Sequence, residues 1–225
     1  MKRKKGKRYS KLLRWILLYI PLWFIGITVS WVVLLRWVPV YYTPLMAVRS
    51  WEFRNDSTYH TYKTWKPLEK ISINMAKAVV ASEDARFYTH NGFDWIEIEK
   101  AVKEHQRGKR LRGASTISQQ TAKNVFLFPG RSWVRKGFEA YFTFLIEKIW
   151  GKERILEVYL NVAEMGKGIF GAEAAAERLF NTRASKLSSR QSALIAACLP
   201  NPLQRKANKP TQYLLKRAGE IERNF

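Results

Sequence analysis

Cysteine is nearly absent: among 225 residues only Cys198 carries a thiol. An intramolecular disulfide is therefore excluded, and the redox compartment stays open. Cys198 stands in the apolar run Ala193–Leu199 with nothing beside it to activate a nucleophile, so it reads as a small core residue. Histidine is scarce too. There are three, and no second His or Cys stands at metal-ligand spacing from His90. Acids are in short supply, 18 against 40 Lys and Arg, which leaves a net charge of +22. An excess of that size calls for a polyanionic partner or an anionic surface. Missing as well are internal repeats and any run alternating cleanly enough to claim a sheet.

Other features are plentiful. Nine Trp, ten Tyr and twelve Phe supply a packed core and exclude global disorder. The length suits one sizeable domain plus an anchor rather than two domains. The charge is unevenly spread. Residues 1–14 hold eight Lys/Arg and no acid, and the stretch Trp15 to Leu35 that follows carries no charge at all. As a helix it spans about 30 Å, the thickness of a hydrocarbon core. Trp15, Trp31 and Trp37 lie near its ends as interfacial aromatics do, and Pro21 and Gly26 are tolerated in a membrane helix. It is too long for an ordinary signal-peptide core, and no small-x-small cleavage site closely follows. The reading is a basic cytoplasmic tail over 1–14, a transmembrane helix over 15–38, a juxtamembrane linker of low regularity over 39–66 and an exported domain over 67–225. Basic flanks stay in the cytoplasm, so a single-pass protein with its C-terminal domain outside follows, and nucleic acid is the weakest choice of polyanion.

The exported domain is mainly α. Ser72 caps a helix that delivers Glu83 at its C-terminal end, and Asp94-x-x-Glu97 opens another through about His105. Ser115 or Thr116 begins a helix reaching Lys123. Ser132 starts the strongest, with Trp133, Val134, Phe138, Tyr141, Phe142, Leu145, Ile146 and Ile149 on one apolar face and Gly151 after it. Lys152–Asn161, Gly171–Phe180, Ser188–Leu199 and Thr211–Arg223 follow.

The chemistry concentrates between Glu83 and Glu139. Partial burial at the edge of an apolar helix would raise the pKa of Glu83 and suit it to proton abstraction; the bland alternative is a solvated carboxylate at a helix end. His90 suits a hydrogen-bonded structural role better than a metal site. Ser115, Thr116, Gln119 and Gln120 place hydroxyls and amides on adjacent turns, suited to sugar hydroxyls or phosphate oxygens, although a plain N-cap explains Ser115 nearly as well. Lys123, Arg131, Arg135 and Lys136 suggest an anion site, against a solvated charged face.

In their order these residues resemble the peptidoglycan glycosyltransferases, the lysozyme-like transglycosylases that polymerise lipid II. Four motifs carry the likeness: Glu83-Asp84, Phe87, His90 and Gly92; Gly113, Ser115-Thr116-Ile117 and Gln119-Gln120, with Lys123; Arg135-Lys136 and Glu139; and Lys152, Ile155-Leu156 and Tyr159-Leu160-Asn161. It covers roughly residues 65 to 210. Gln191 stands where such enzymes often carry an acid, and the Arg217 region departs from the usual Arg-x-x-x-Val-Leu.

The resemblance implies a lysozyme-like helical domain that joins lipid II units by β-1,4 bonds with inversion and releases undecaprenyl diphosphate. It implies Glu83 as general base, Lys123 and Arg131 stabilising the diphosphate, and Glu139 supporting that site without transferring a proton. Asp84, Phe87, His90, Gly92, Ser115, Thr116, Gln119, Gln120, Arg135, Lys136, Tyr159 and Asn161 are the implied substrate-binding set. No metal is implied with certainty, and a divalent cation such as Mg2+ is the one cofactor left open. Partners are lipid II, the growing lipid-linked strand, the bilayer of a bacterial inner membrane and proteins of cell-wall synthesis or division. Phe126-Leu127-Phe128 and Trp133 either dip into the bilayer or pack in the core. The chain contains no Ser-x-x-Lys and no Lys-Thr-Gly, so no transpeptidase activity is expected. Two other readings stay open: a lytic murein hydrolase of similar fold, and a membrane-tethered scaffold for anionic polymer.

Overall fold

The computed structural model describes residues 15–108, 113–130 and 132–225, so the basic tail over 1–14 lies outside the described residues. The chain divides into two compact units, Met1–Val38 and Pro39–Phe225.

In the first unit a π-helical turn, Trp15–Tyr19, runs into α1, Ile20–Leu35. Pro21 stands in the first turn of α1, where its fixed φ suits the helix. The segment Leu17–Leu35 has a mean hydropathy of 2.1 over 19 residues, long and apolar enough to cross a membrane. Leu17, Leu18, Ile20, Leu22, Trp23 and Ile27 are exposed around it, a pattern consistent with membrane anchoring.

The second unit is mainly helical. The stretch read as an irregular linker contains a regular helix, α2, Pro44–Glu52. Thr43 caps it, accepting from Met46 N, and Pro44 pre-sets the first turn. The two prolines of this stretch, Pro39 and Pro44, masked it, because Pro44 stands where a helix welcomes proline. The remaining helices are α3, Ile73–Glu83; α4, Trp95–Gln106; α5, Ile117–Phe126; α6, Trp133–Ile149; α7, Lys152–Val162; α8, Ala172–Phe180; α9, Ser189–Cys198; and α10, Gln212–Glu222. The cap signals act as the sequence suggests. Ser72, Asp94, Thr116, Ser132, Ser188 and Thr211 each accept from a backbone N–H of the first turn, and Thr116/Gln119 and Ser188/Gln191 form reciprocal capping boxes.

A small sheet accompanies the helices, with strands β1, Tyr62–Lys63; β2, Glu164–Gly166; and β3, Ile169–Phe170, in the order β1-β3-β2. β1 runs parallel to β3, pairing Tyr62 with Ile169, and β2 runs antiparallel to it. Strands of two or three residues leave no alternation to read, which is why the sequence does not announce them.

The core lies along α9, whose residues Ser192 to Cys198 are all buried and which packs on α3 and α10. A second layer forms where α5 meets α6 and α7. Together these layers hold the C-terminal end of α3, the N-terminus of α5 and the middle of α6 in fixed relation. One expected face is divided: Phe142, Leu145 and Ile146 of α6 are buried, whereas Trp133, Val134 and Phe138 are exposed, Trp133 by 92%.

Candidate active site

Glu83 closes α3, and its Oε2 accepts from Gln120 Nε2 of α5 at 3.0 Å. Gln120 Oε1 in turn accepts from the Tyr159 hydroxyl of α7 at 3.2 Å. Tyr159 is 1% exposed and thereby fixes which way the Gln120 amide points. Burial lifts the Glu83 carboxyl above its ordinary value, partly offset by the Gln120 hydrogen bond and by the charges of Arg217 and Lys123. Glu83 is thus held by a neutral amide, without an ion pair among the described residues, in a setting that raises its affinity for a proton.

The second glutamate has a different environment. Glu139 of α6 is 3% exposed; Oε2 accepts from Arg135 Nη1 at 2.9 Å and Oε1 from Lys136 Nζ. Spacings of three and four residues on one helix bring the two cations over the one carboxylate.

Two cavities flank these groups. One, of about 400 Å³, is lined by Gln120, Lys123, Asn124, Arg135 and Tyr159, with Leu127, Pro129 and Leu199 on its apolar side. The Lys123 ammonium makes no hydrogen bond or ion pair among the described residues. Burial pulls its pKa below the ordinary lysine value, against the attraction of Glu139. The Arg135 Nε is also buried without a hydrogen bond. Desolvated cationic donors left unpaired in a cavity wall are what an anion completes. The other cavity, of about 260 Å³, is lined by Glu83, Asp84, Gly113, Ser115, Thr116 and Arg217. The hydrogen bond from Gln120 to Glu83 therefore joins a residue of each.

Behind the cavities a buried network ties the first two motifs together. Asp84 accepts from His90 Nε2 at 2.9 Å through Oδ1 and from Ile117 N at 3.0 Å through Oδ2. Gly92 N donates to His90 Nδ1 at 3.2 Å, so the ring proton sits on Nε2 and points at Asp84. Thr116 Oγ1 donates to Gly92 O at 2.6 Å while accepting from Gln119 N. Gly92 has φ +90°, and a Cβ there would lie 2.8 Å from Thr143 Cγ2, so only glycine fits. A parallel strut links motif to motif through Glu147, which accepts from Ser118 Oγ at 2.5 Å and from Lys152 Nζ at 2.6 Å, with Lys152 over the Phe87 ring.

The implied site residues thus fall into groups. Glu83, Gln120, Tyr159, Lys123 and Arg135 meet at the cavities, with Lys136 and Glu139 behind Arg135. Ser115 is exposed in the smaller cavity. Asp84, His90, Gly92, Thr116 and Gln119 are occupied with one another. Phe87 is fully buried, and Asn161 clamps the Lys66 backbone, accepting from its N–H at 2.8 Å and donating to its carbonyl at 2.7 Å. Arg131 lies outside the described residues. Sequence reading missed Asn124, Glu147, Arg49 and Glu164, and met Arg217 only as a departure from a pattern. Glu147, five residues before Lys152 across a helix break, was the one with a local signal.

Asp84, His90 and Asp94 bring one potential metal ligand each within 4.8 Å of one another. Their lone pairs are already taken: Asp84 as above, and Asp94 by Ile96 N and Glu97 N at the start of α4, with Arg86 Nε 3.2 Å from its other oxygen. A cation beside a satisfied donor set does not fit a resident metal ion, and no step below passes through one.

The transglycosylase family profile matches residues 52–224, and the chain belongs to that family. It is 60% identical over 203 residues to a biosynthetic peptidoglycan transglycosylase of Bacteroides thetaiotaomicron, covering 90% of this chain and 82% of that protein. Proteins of the same description in Bdellovibrio bacteriovorus and Caulobacter vibrioides are each 49% identical, over 218 and 216 residues. Those matches cover 95% and 96% of this chain and 86% and 92% of theirs.

Proposed function

We propose that this peptidoglycan transglycosylase polymerises lipid II, with Glu83 as general base and Lys123 and Arg135 receiving the diphosphate. The observation that carries the reading is the adjacency of a half-buried, amide-held glutamate to a cavity lined by Arg135 and by Lys123, whose ammonium has no partner among the described residues. A sugar 4-hydroxyl is a weak nucleophile unless its proton is removed during attack, and Glu83 is the group held for that. As the O4–C1 bond forms, the C1–O bond to the diphosphate breaks, and the electron pair leaves on the phosphate oxygen. Lys123 and Arg135 neutralise that charge, so the leaving group needs no proton. Attack opposite the leaving group inverts the α-linked donor to a β-1,4 bond. Arg131, eight residues beyond Lys123, is assigned to the same anion site on the family motif alone.

Glu139 takes no proton in this scheme. It holds Arg135 and Lys136 in place, and Arg135 lines the cavity. Asp84, His90, Gly92, Thr116 and Gln119 act as positioning residues that lock α3 to α5. Ser115 and Arg217, in the smaller cavity with Glu83, are assigned to the acceptor sugar.

Both substrates are lipid-linked, so the site works at a bilayer. The apolar N-terminal helix serves as the anchor, with the basic tail cytoplasmic and the catalytic domain outside the inner membrane. Phe128, Trp133 and Val134, exposed by 68%, 92% and 72%, are assigned to the interface. Phe126 instead stacks on Phe142 at 4.5 Å and belongs to the core.

Purified lipid II is the deciding substrate. Glycan strands with released undecaprenyl diphosphate from the native chain, and none from Glu83→Gln, are the expected outcome. Degradation of finished murein, or full activity of Glu83→Gln, overturns the reading in favour of a lytic enzyme or of a scaffold.

A further inference from the structure

The larger cavity has a wall that the chemistry above leaves unused. Leu45 and Arg49 reach it from α2, Ala163 from the C-cap of α7 and Glu164 from the start of β2. Arg49 Nε donates to Glu164 Oε2 at 3.0 Å, and Nη1 donates to Glu52 Oε2 at 2.6 Å. Nη2 has no hydrogen bond among the described residues. Glu164 is 6% exposed, and its other oxygen, Oε1, is buried without a hydrogen-bond partner. Such a pair is a poor way to gain stability, because desolvating both charges offsets their attraction and one carboxylate oxygen stays unsatisfied. The arginine's place in the cavity wall offers the pair a use in binding.

We propose that Arg49 is a third cation of the anion cavity, a substrate-binding residue for the diphosphate, with Glu164 as the residue that positions it. This rests on the reading of Lys123 and Arg135 as the diphosphate site. The two carboxylates hold the guanidinium unequally. Glu164 is buried, whereas the Glu52 side chain is 46% exposed and only three residues along the same helix, a contact of little worth. A phosphoryl group displaces Glu52 and takes the Nη1–Nη2 edge in the two-pronged geometry that suits guanidinium, while Nε stays on Glu164. A lysine in place of Arg49 would keep the charge and lose the fork. The first helix after the anchor thereby becomes part of the substrate pocket.

The same chemistry would also suit the phosphate of a bilayer headgroup, so the test has two arms. In detergent, turnover of lipid II and its inhibition by inorganic pyrophosphate are measured for the native chain, Arg49→Ala, Arg49→Lys, Glu164→Gln and Lys123→Ala. Cosedimentation with phosphatidylglycerol vesicles is measured for the same set, alongside thermal unfolding. Loss of one charged hydrogen-bonding group predicts that Arg49→Ala raises the KM for lipid II and the inhibition constant of pyrophosphate about tenfold. Its kcat should stay within about threefold and its vesicle binding should not change. Arg49→Lys should recover part of the loss, and Glu164→Gln should raise both constants by a smaller factor. Unchanged constants in Arg49→Ala, with turnover lost in Lys123→Ala, overturn the role of Arg49 and leave the diphosphate site standing. Weaker vesicle binding with unchanged constants assigns Arg49 to headgroups and also overturns it. Lowered thermal stability alone makes the pair a strut. Full turnover in Lys123→Ala, with the native chain insensitive to pyrophosphate, brings down the underlying reading instead.

Discussion

Glu83 and Glu139 are both held near one cationic cavity, yet their surroundings divide the work between them. Glu83 meets neutral partners, the Gln120 amide and the Ser82 hydroxyl, and is lifted by burial; Glu139 meets two cations on its own helix. The first environment leaves a carboxylate whose affinity for a proton is raised, and the second spends the carboxylate on fixing guanidinium and ammonium groups. In the proposed mechanism, neighbours rather than residue type decide which glutamate transfers a proton.

The largest test of that contrast is to neutralise each in turn. Glu83→Gln should lower lipid II turnover by about 10²–10⁴-fold, the usual contribution of a general base, with unchanged thermal stability. Glu139→Gln should lose less turnover, about tenfold to a hundredfold, because the cations remain but are no longer aimed. Equal losses would erase the division of labour.

Stability separates the positioning network from the chemistry. Asp84→Asn removes the carboxylate that bonds both His90 and the first turn of α5. Charged hydrogen bonds of this kind predict a loss of about 2–3 kcal/mol in denaturant unfolding, where Glu83→Gln should cost almost none.

Smaller effects appear in pH profiles. Glu83 works ionised, and its pKa is raised, so activity should fall as pH drops through a value above the ordinary carboxylate range. The Gln120 hydrogen bond opposes that rise, so Gln120→Ala should move the acid limb of kcat/KM to higher pH by about one unit or less. On the other side Lys123 works charged. Burial lowers its pKa and the nearby Glu139 charge raises it, so Glu139→Gln should move the alkaline limb to lower pH. Movement of either limb in the opposite direction would contradict the assigned neighbours. Smallest of all, Trp133→Ser should weaken vesicle binding several-fold and leave unfolding unchanged, since its ring is 92% exposed.

Much of the helical layout was legible because capping is local. Ser72, Asp94, Thr116, Ser132, Ser188 and Thr211 announce helix starts through bonds that reach only two or three residues. α2 was not, because Pro44 at a helix start looks like a breaker, and neither was the sheet, whose strands are two or three residues long and whose β1–β3 pair joins segments more than a hundred residues apart. The α6 face shows the limit of periodicity. It marks Trp133, Val134 and Phe138 as apolar at the right spacing but says nothing of where α5 ends and stops covering them.

By itself the sequence determined the family to which the chain belongs and proposed which residues carry its chemistry, since both readings rest on residue type and spacing. It also determined the apolar segment that fits an anchor, because length and hydropathy alone define one. Only the tertiary structure decided that Glu83 rests on an amide held by Tyr159, that Asp84 and His90 are spent on each other, and that Arg49 shares a cavity with Lys123. Burial and pairing depend on segments far apart in the chain, and those set the affinity of a carboxylate for its proton and the availability of a cation for its anion.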